Sequence, residues 1–376
     1  MDFYGFYTGT EFHAHEYLGA HVTDDGVVFR VFAPAARGIA VIGEFNEWNG
    51  EPMHKIYDGN FWECVIPTAK VGQMYKYRIY DQNGGCLDRC DPYGRRMELR
   101  PHSASIICGG GKQKFTDEKW LKPRDGGLDK PLNIYEIHAG SWRCKPDEED
   151  QRDVAEHWYN YRELADLLVP YLKENHYHYV EMMPLAEHPS DESWGYQISG
   201  FFSPTSRYGT PDDLKYLVNK CHNAGIGVIM DFVPVHFAVD DYALWNFDGT
   251  ALYEYPHSDV GKSEWGSCNF MHSRGEVRSF LQSAADYWLE EFHFDGLRMD
   301  AISNLIYWQG NPARGENKDA VQFLQNLNRG LKERFPTALL IAEDSTARPN
   351  ITTPVSAGGL GFDYKWDMGW MNDTLS

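Results

Sequence analysis

The sequence predicts a multidomain chain in which an N-terminal β-sandwich of immunoglobulin-like type is followed by a (β/α)8 TIM-type barrel, incomplete here at about six strands. Two patterns predict this architecture. Short strand-like runs separated by Gly, Asn and Asp fill about the first hundred residues, as in the alternating stretch GVVFRVFAP. From Asn133 onward, short apolar runs alternate with helical stretches, which is typical of parallel β/α units.

Changes in composition along the chain give the domain boundaries. We expect an N-terminal extension over residues 1–14, the sandwich over residues 15–108 and the barrel over residues 132–376. The intervening residues 109–131 hold a Gly triplet, a run of charges and Pro131, which is a composition typical of a linker.

The barrel strands are predicted from six apolar runs: NIYEIH, YHYVEMMP, GIGVIMDFV, DGLRMDA, ALLIAED and GLGFDYK. Three helices are predicted between them. The first has Thr210 as its N-cap, Pro211 in its first turn and Gly225 beyond its end. The other two follow Glu276 and Lys318, each with apolar residues on one face. Since a closed barrel of this type needs eight strands, we expect the barrel to be truncated.

Composition and charge narrow the class of partner. The formal net charge of −20 argues against nucleic acid, and no run of about 18 apolar residues predicts a membrane span. The N-terminus lacks a signal-peptide pattern, and the seven cysteines have no metal-finger spacing, so we expect reduced thiols and a cytoplasmic location. No metal is expected, although two pairs, Cys86 with Cys90 and His176 with His178, leave that alternative open.

Three carboxylates stand where catalytic groups of parallel barrels are found, at the C-terminal ends of strands. Asp231, Asp300 and Glu343 each follow an apolar run. A carboxylate is expensive to bury unless it is paired or used, and a helix cap or salt bridge accounts for one such residue more easily than for three. These residues are therefore the candidate active site.

Neighbouring residues assign roles within this set. Arg298 lies two residues before Asp300, so both side chains face the same way, and its charge is expected to lower the pKa of Asp300 and keep it ionised. A plain internal salt bridge is the alternative. Partial desolvation of Glu343 between apolar neighbours suits a proton donor, and such a pair of carboxyl groups is typical of glycosidic bond cleavage, which needs no cofactor. His236 either hydrogen-bonds a sugar hydroxyl or is a solvated loop residue.

These segments also resemble a known family. The stretches DFVPVHF, DGLRMDAIS and IAEDST resemble three conserved regions of the α-amylase superfamily, in the same order on successive strands. The surrounding segments resemble branching enzymes in particular, and the resemblance covers nearly the whole chain: YEIHAGSWR, MMPLAEHPSDESWGYQISGFFSPTSRYGTPDDLKYLV, DDYALWNFDGTALYEY and GGLGFDYKWDMGWMNDTL.

The resemblance implies a retaining double displacement on an α-1,4-glucan such as glycogen or amylose. Asp300 would be the nucleophile, Glu343 the acid and then the base, and Arg298 would hold Asp300. Asp231, His236 and Tyr196 would bind the sugar at the point of cleavage, with Tyr196 stacking on it. The acceptor would be a 6-hydroxyl of another glucan, so that an α-1,6 branch is made.

The N-terminal sandwich resembles the glucan-binding domain of the same family. Its segment GEFNEWNG and the stretch Asn60-Phe61-Trp62 match aromatic-bearing segments of that domain. Trp48 and Trp62 either offer stacking faces to a glucan or belong to the core of the sandwich.

One departure from the family pattern is important. The superfamily has a His-Asp pair after strand seven, which supplies a third catalytic carboxylate, and this sequence has no such pair after Glu343. We therefore expect little activity of this chain alone, and an open barrel with two sheet edges is expected to favour self-association. The alternatives are an α-glucan hydrolase of the same superfamily and a catalytically inactive, truncated glucan-binding protein.

Overall fold

The N-terminal part of the structure is a pair of antiparallel sheets. The structure is a computed structural model that describes residues 1–122, 128–146 and 157–376. One sheet has the order β1-β2-β6-β5, and the other has the order β4-β3-β7-β8 with β9 added to β7. The strands are β1 (Gly19–Thr23), β2 (Gly26–Phe32), β3 (Gly38–Gly43), β4 (Glu51–Pro52), β5 (His54–Ile56), β6 (Phe61–Ile66), β7 (Met74–Tyr80), β8 (Cys86–Arg89) and β9 (Ser105–Ile106).

The strands of this part form where the sequence alternates. In β2, the side chains of Val27, Phe29 and Val31 are fully buried, as the period of two predicts. Phe29 packs edge-on against Tyr75 of the other sheet at 5.0 Å between ring centroids. The predicted sandwich is therefore confirmed, with its core between the two sheets.

The second part contains a sheet of six parallel strands in chain order, and these are the six predicted strands. They are β10 (Ile134–Ile137), β11 (Tyr179–Met182), β14 (Gly227–Phe232), β17 (Gly296–Met299), β18 (Leu339–Ala342) and β19 (Tyr364–Lys365). In the part of the chain that the structure describes, this sheet does not close, and β10 and β19 are its edges. Two short antiparallel pairs lie in the loops: β12 (Ala186–Glu187) with β13 (Gly200–Pro204), and β15 (His236–Phe237) with β16 (Cys268–Asn269).

Helices connect the parallel strands, as the alternating pattern predicts. The helices of the described ranges are α1 (Phe3–Thr8), α2 (Glu118–Leu121), α3 (Tyr161–Glu174), α4 (Pro211–Asn223), α5 (Ser258–Gly261), α6 (Gly275–Phe292), α7 (Ser303–Ile306), α8 (Lys318–Arg334) and α9 (Met368–Leu375). Of these, α3, α4, α6 and α8 are the long helices that lie between successive parallel strands. Across the described ranges, none of these helices combines the length and the apolar composition needed to span a bilayer.

The start of α4 confirms the predicted cap. The Thr210 hydroxyl accepts a hydrogen bond from the Asp213 backbone N–H at 3.3 Å, and the Asp213 carboxylate accepts one from the Thr210 N–H at 2.9 Å. This reciprocal arrangement satisfies two N–H groups that have no partner within the helix. The predicted helices after Glu276 and Lys318 are confirmed as α6 and α8.

The sequence did not predict α3. Asn160 caps it by accepting a hydrogen bond from the Glu163 N–H at 2.8 Å, and the buried Leu164 and Leu168 lie on its inner face. Pro170 in its interior is normally a helix breaker, which conceals the periodic pattern. The packing of the apolar face outweighs the one hydrogen bond that Pro170 removes.

The predicted strand YHYVEMMP begins later than expected. His178 and the other histidine of the possible metal pair, His176, both precede β11, which begins only at Tyr179. His176 has a left-handed backbone with φ of 61°, and the His178 Nδ1 accepts a hydrogen bond from the Asn133 N–H at 3.0 Å. The two histidines thus belong to the turn that precedes β11.

The first residues of the chain join the sandwich to the barrel. Phe6 is buried against Phe32 of the sandwich at 5.0 Å between ring centroids. On the other side, the Ser279 hydroxyl of α6 donates to the Phe6 carbonyl at 2.9 Å, and Gln282 donates to the Gly9 carbonyl at 3.0 Å. Residues 1–14, predicted as an extension, thus contact both parts of the molecule; the predicted domain boundaries themselves stay predictions.

We expect Gly275→Ala to weaken this junction. A Cβ at residue 275 would lie 1.7 Å from the Tyr7 carbonyl oxygen and 3.0 Å from the Gly9 nitrogen, both of which are backbone atoms that cannot rotate away. The expected loss of unfolding free energy is about 2–3 kcal/mol, measured by urea denaturation. Gly110→Ala, where a Cβ would meet nothing within 4 Å, is the control. Equal midpoints for both variants would contradict the expectation.

Candidate active site

The predicted catalytic residues meet inside the open barrel. Asp231 of β14 is paired in register with Arg298 of β17. Asp300 and Glu343 follow β17 and β18, and each lies an even number of residues beyond an inward-facing position of its strand. The backbone hydrogen bonds continue past the strand ends, with the Asp300 N–H donating to Phe232 at 3.0 Å. The four side chains therefore face the same space at the C-terminal end of the sheet.

Arg298 is the centre of this group. Its Nη1 donates to the Asp300 carboxylate at 2.8 Å and to the Asp231 carboxylate at 3.0 Å, and its Nη2 lies 3.8 Å from Glu343. The guanidinium also lies 4.2 Å from the ring centroid of Trp366. Burial works against the charge of Arg298, but the surrounding carboxylates raise its pKa, so it is a permanent cation that fixes their positions.

The charge state of Asp300 differs from the expectation. Burial raises its pKa to about 7, Arg298 opposes this shift, and the neighbouring Glu343 adds to it. The sequence correctly placed Arg298 beside Asp300, but the prediction of a lowered pKa was wrong because desolvation outweighs the ion pair.

A strained residue holds Glu343 in place. The backbone N–H of Ala301 donates to the Glu343 Oε2 at 2.6 Å. Ala301 has a φ of 47°, in the left-handed region that residues with a Cβ rarely adopt. This conformation turns the amide that follows Asp300 toward Glu343, so the backbone of one candidate catalytic residue orients the other.

Tyr196 and Asp231 form a second layer of the site. The Tyr196 hydroxyl donates to the Asp231 Oδ2 at 2.5 Å. Asp231 is buried, and burial raises its pKa to about 8 against the opposing effects of Arg298 and Tyr196. Its other oxygen, Oδ1, is buried without a hydrogen-bond partner among the described residues. Buried polar atoms normally have a hydrogen-bond partner, so this oxygen is an exception within the site.

His236 lies beside this layer with both ring nitrogens in use. Burial lowers its pKa to about 4, so the ring is neutral. Its Nε2 then donates to the Tyr196 carbonyl at 2.9 Å, and its Nδ1 accepts from the Ser267 hydroxyl at 2.7 Å. His236 is only 3% exposed, so it is not the solvated loop residue of the alternative interpretation. It can bind a sugar hydroxyl only by exchanging one of these two bonds.

Glu181 was not predicted as part of the site. It faces inward from β11, is paired in register with Glu136 of β10, and is 3% exposed. Burial raises its pKa to about 9, and the nearby Asp231 and Glu136 add to the shift. The signal was present in the sequence, since an acidic residue interrupts the apolar strand YVEM.

The protonated Glu181 makes stability depend on pH. Between the ordinary pKa of a glutamate and about 9, the folded chain holds a proton that the unfolded chain lacks, so stability falls as pH rises. We expect the thermal midpoint to drop from pH 5 to pH 9, and Glu181→Gln to remove about 1–2 kcal/mol of that dependence. The exposed Glu333→Gln is the control. Parallel pH curves for the original chain and Glu181→Gln would contradict this expectation.

A cleft of about 600 Å³ opens over the carboxylates. Two exposed tryptophans that the sequence did not single out, Trp194 and Trp265, lie on its rim. They sit in loops without periodic pattern, so only their side-chain type was available as a signal. The lining residues are Glu192, Ser193, Trp194, Tyr196, Gln197, His236, Glu264, Trp265, Asp300, Ala301, Ser303, Asn304, Glu343 and Ser345.

The two tryptophans predicted for glucan stacking on the sandwich differ in exposure. Trp62 is 5% exposed, and its indole N–H donates to the Ala33 carbonyl at 3.0 Å, which agrees with the core alternative. Trp48 is 38% exposed and has a left-handed backbone with φ of 62°. Stacking on a glucan therefore stays a prediction for Trp48.

One group of side chains in the described ranges has ligand atoms close enough to share a metal ion. The atoms of His13, Glu16 and Glu290 lie within 4.8 Å of one another. However, Arg334 lies 3.6 Å from Glu290, and the His13 Nε2 is already 3.2 Å from Asp286. These contacts disfavour a cation there, and the absence of a metal stays a prediction.

Comparisons with known proteins agree with this architecture. Residues 17–94 match the family carbohydrate-binding module 48 (isoamylase N-terminal domain), and residues 167–247 match the alpha amylase catalytic domain. A crystal structure of a pullulanase from Paenibacillus barengoltzii, in complex with maltohexaose and alpha-cyclodextrin, has a TM-score of 0.69 at 21% identity, over 87% of this chain and 52% of that chain. The fold is thus a β-sandwich similar to carbohydrate-binding module 48, joined to an open sheet of parallel β/α units similar to the alpha amylase catalytic domain.

Two relatives of higher sequence identity carry the same enzyme name. The chain is 48% identical, over 100% of its length and 60% of the relative, to 1,4-alpha-glucan branching enzyme GlgB of Fusobacterium nucleatum subsp. nucleatum. It is 45% identical, over 100% of its length and 56% of the relative, to the enzyme of the same name from Bacillus caldolyticus. The chain is similar over its whole length to branching enzymes, and it spans 60% or less of the length of these two relatives.

Proposed function

We propose that this chain carries the glucan-cleaving site of a 1,4-α-glucan branching enzyme of glycogen biosynthesis. The enzyme breaks an α-1,4 bond with retention and transfers the released chain to a 6-hydroxyl, which forms an α-1,6 branch. The observation that carries the proposal is the single cation Arg298 hydrogen-bonded to Asp231 and Asp300 with Glu343 beside it. The similarity to branching enzymes supports transfer rather than hydrolysis.

The proposed reaction has two displacements. In the first, Asp300 attacks the anomeric carbon, the bond to the 4-oxygen breaks, and Glu343 gives that oxygen its proton. In the second, Glu343 takes the proton of the acceptor 6-hydroxyl, whose oxygen attacks the same carbon and releases Asp300.

The remaining residues bind the sugar at the point of cleavage. Tyr196 lines the cleft and packs against the sugar ring, and Asp231 anchors it by accepting its hydroxyl. Arg298 keeps both carboxylates in position.

The substrate in this proposal is a linear or branched α-1,4-glucan. The net charge of −20 disfavours nucleic acid as a partner. The seven cysteines are all free thiols, which agrees with the cytoplasmic location that forms part of the proposal. Self-association through the edges of the open sheet remains a prediction.

An amylose–iodine assay at high protein concentration, with Asp300→Ala as the inactive control, tests the proposal. Branching lowers iodine colour without new reducing ends, whereas a hydrolase lowers the colour and raises reducing ends. A glucan-binding protein without activity would be retarded in glycogen-containing gels and leave iodine colour unchanged. Either of the last two results would overturn the proposed transfer.

A further inference from the structure

Two exposed indoles on the rim of the cleft have no structural role that requires their exposure. Trp194 is 59% exposed and Trp265 is 47% exposed, and both line the cavity that contains Asp300 and Glu343. An exposed indole loses the stabilisation that burial of its large apolar surface would give. Two of them at one cleft, on separate loops, suggest that a ligand covers them.

Trp194 is also held in an unfavourable backbone conformation. Its φ of 54° and ψ of 20° lie in the left-handed region, which is unfavourable for a residue with a Cβ. Gly195, with φ of 92°, directly follows it. Strain of this kind persists where surrounding contacts fix the backbone, and it concentrates at binding sites.

Two arginines from different parts of the chain hold the turn that carries Trp194. The Asp191 Oδ1 accepts hydrogen bonds from the Nε of Arg207 and from the Nε of Arg100, both at 2.7 Å, and the Asp191 carbonyl accepts the Trp194 N–H at 3.1 Å. The Arg207 side chain is only 1% exposed and also binds Glu187 at 2.8 Å. Arg100 belongs to the loop between β8 and β9 of the sandwich. The sandwich therefore helps to hold this turn.

Trp265 is held just as firmly by different partners. Its backbone carbonyl accepts a hydrogen bond from the Gln197 side chain at 3.1 Å, and its N–H donates to the Ser263 hydroxyl at 3.2 Å. Its ring contacts the His236 ring edge-on, at 5.4 Å and 88°. The hydrogen bond between the Ser267 hydroxyl and the His236 ring holds the same loop two residues beyond Trp265. The backbone at both tryptophans and the ring of Trp265 are thus positioned before any ligand arrives, which favours affinity.

The charges of the cleft indicate the class of ligand. Glu192 and Glu264 lie on the rim beside the two tryptophans, and Asp300 and Glu343 lie on the floor. The cation among them, Arg298, has a side chain that is 5% exposed and is already bound to carboxylates. Such a site repels phosphate and carboxylate groups, whereas a neutral sugar chain offers hydroxyls to the acids and its apolar face to the indoles.

We propose that Trp194 and Trp265 are glucan-stacking residues that hold neutral α-1,4-linked glucose units next to the point of cleavage. Arg100 is a positioning residue for Trp194, acting through Asp191. This inference rests on the proposed function, because it assumes that an α-glucan occupies the cleft. It also gives the sandwich a second role, since one of its loops shapes the rim of the cleft.

Calorimetric titration with maltoheptaose tests the inference. The measurements use a Trp48→Ala background, which removes the candidate stacking residue of the sandwich. We expect Trp194→Leu and Trp265→Leu each to raise Kd about 5- to 30-fold, whereas Trp194→Phe and Trp265→Phe, which keep a flat ring, change it less than about threefold. Trp370→Leu, at a residue 68% exposed on α9, is the control and should leave Kd unchanged. Thermal midpoints confirm that each variant is folded.

A double-mutant cycle tests the role of Arg100. If Arg100 acts through Trp194, Arg100→Ala weakens binding in the original sequence but adds nothing to Trp194→Leu. Additive losses would overturn that role. Unchanged Kd values for both leucine variants, with maltoheptaose bound normally by the parent, would overturn the stacking inference and leave the proposed function standing. No binding by the parent would overturn both.

Discussion

Replacing Asp300 by Ala is expected to abolish glucan transfer, with a loss of rate on the order of 10⁴-fold or more. No other described carboxylate contacts both Arg298 and Glu343 from a position open to the cleft. Without Asp300, the sugar has no nucleophile, and the covalent intermediate cannot form. Iodine staining of amylose and the yield of branched product measure the effect.

The loss of activity is separable from a loss of fold. Since burial raises the pKa of Asp300 to about 7, its ionised form opposes folding at higher pH. Asp300→Asn keeps the shape and removes this charge, so we expect its thermal midpoint at pH 8 to equal or exceed that of the original chain. Asp319→Ala, at an exposed residue of α8, is the control for activity. An Asp300 variant with near-normal branching would contradict the assigned role.

The elements that the sequence predicted correctly depend on short-range rules. The six parallel strands were visible as apolar runs, and α4 was visible from Thr210, Pro211 and the acidic first turn, because a cap and its partner lie only three residues apart. The same holds for Arg298 and Asp300, which share a face because a strand repeats every two residues.

The elements that were missed depend on contacts between distant parts of the chain. The hydrogen bonds between α6 and the first nine residues join positions more than 270 residues apart, and no local sequence pattern predicts them. The partners of His236 are Ser267 and the Tyr196 carbonyl, which only the folded loops bring to its ring. For the same reason, the sequence could not decide whether His236 is a solvated loop residue or a ligand of the sugar.

Charge states were the least predictable feature. A neighbouring arginine is visible in the sequence, but the number of atoms that exclude water from a carboxylate is not. Desolvation therefore reversed the expected shift at Asp300 and created the protonated Glu181. Candidate catalytic residues can thus be located from strand parity, whereas their protonation requires the three-dimensional packing.

Glu343→Gln is expected to lower the rate on amylose about 10²- to 10⁴-fold, and an activated donor is expected to restore most of the rate of the first displacement. The amide can still accept the Ala301 N–H that binds Glu343 at 2.6 Å, so the geometry is retained while the transferable proton is lost. A maltosyl fluoride of α configuration tests this role, because fluoride leaves without a proton.

The same donor distinguishes the two carboxyl groups. Asp300→Ala should stay inactive on the fluoride, since the missing nucleophile is needed whatever the leaving group, whereas Glu343→Gln should form the covalent intermediate at close to the normal rate. The second displacement would then be slow, because no base deprotonates the acceptor 6-hydroxyl, so the intermediate should accumulate and appear in intact-mass spectra as a sugar adduct on Asp300. Equal loss on amylose and on the fluoride in Glu343→Gln would exclude Glu343 as the proton donor and leave it as a residue that positions Asp300.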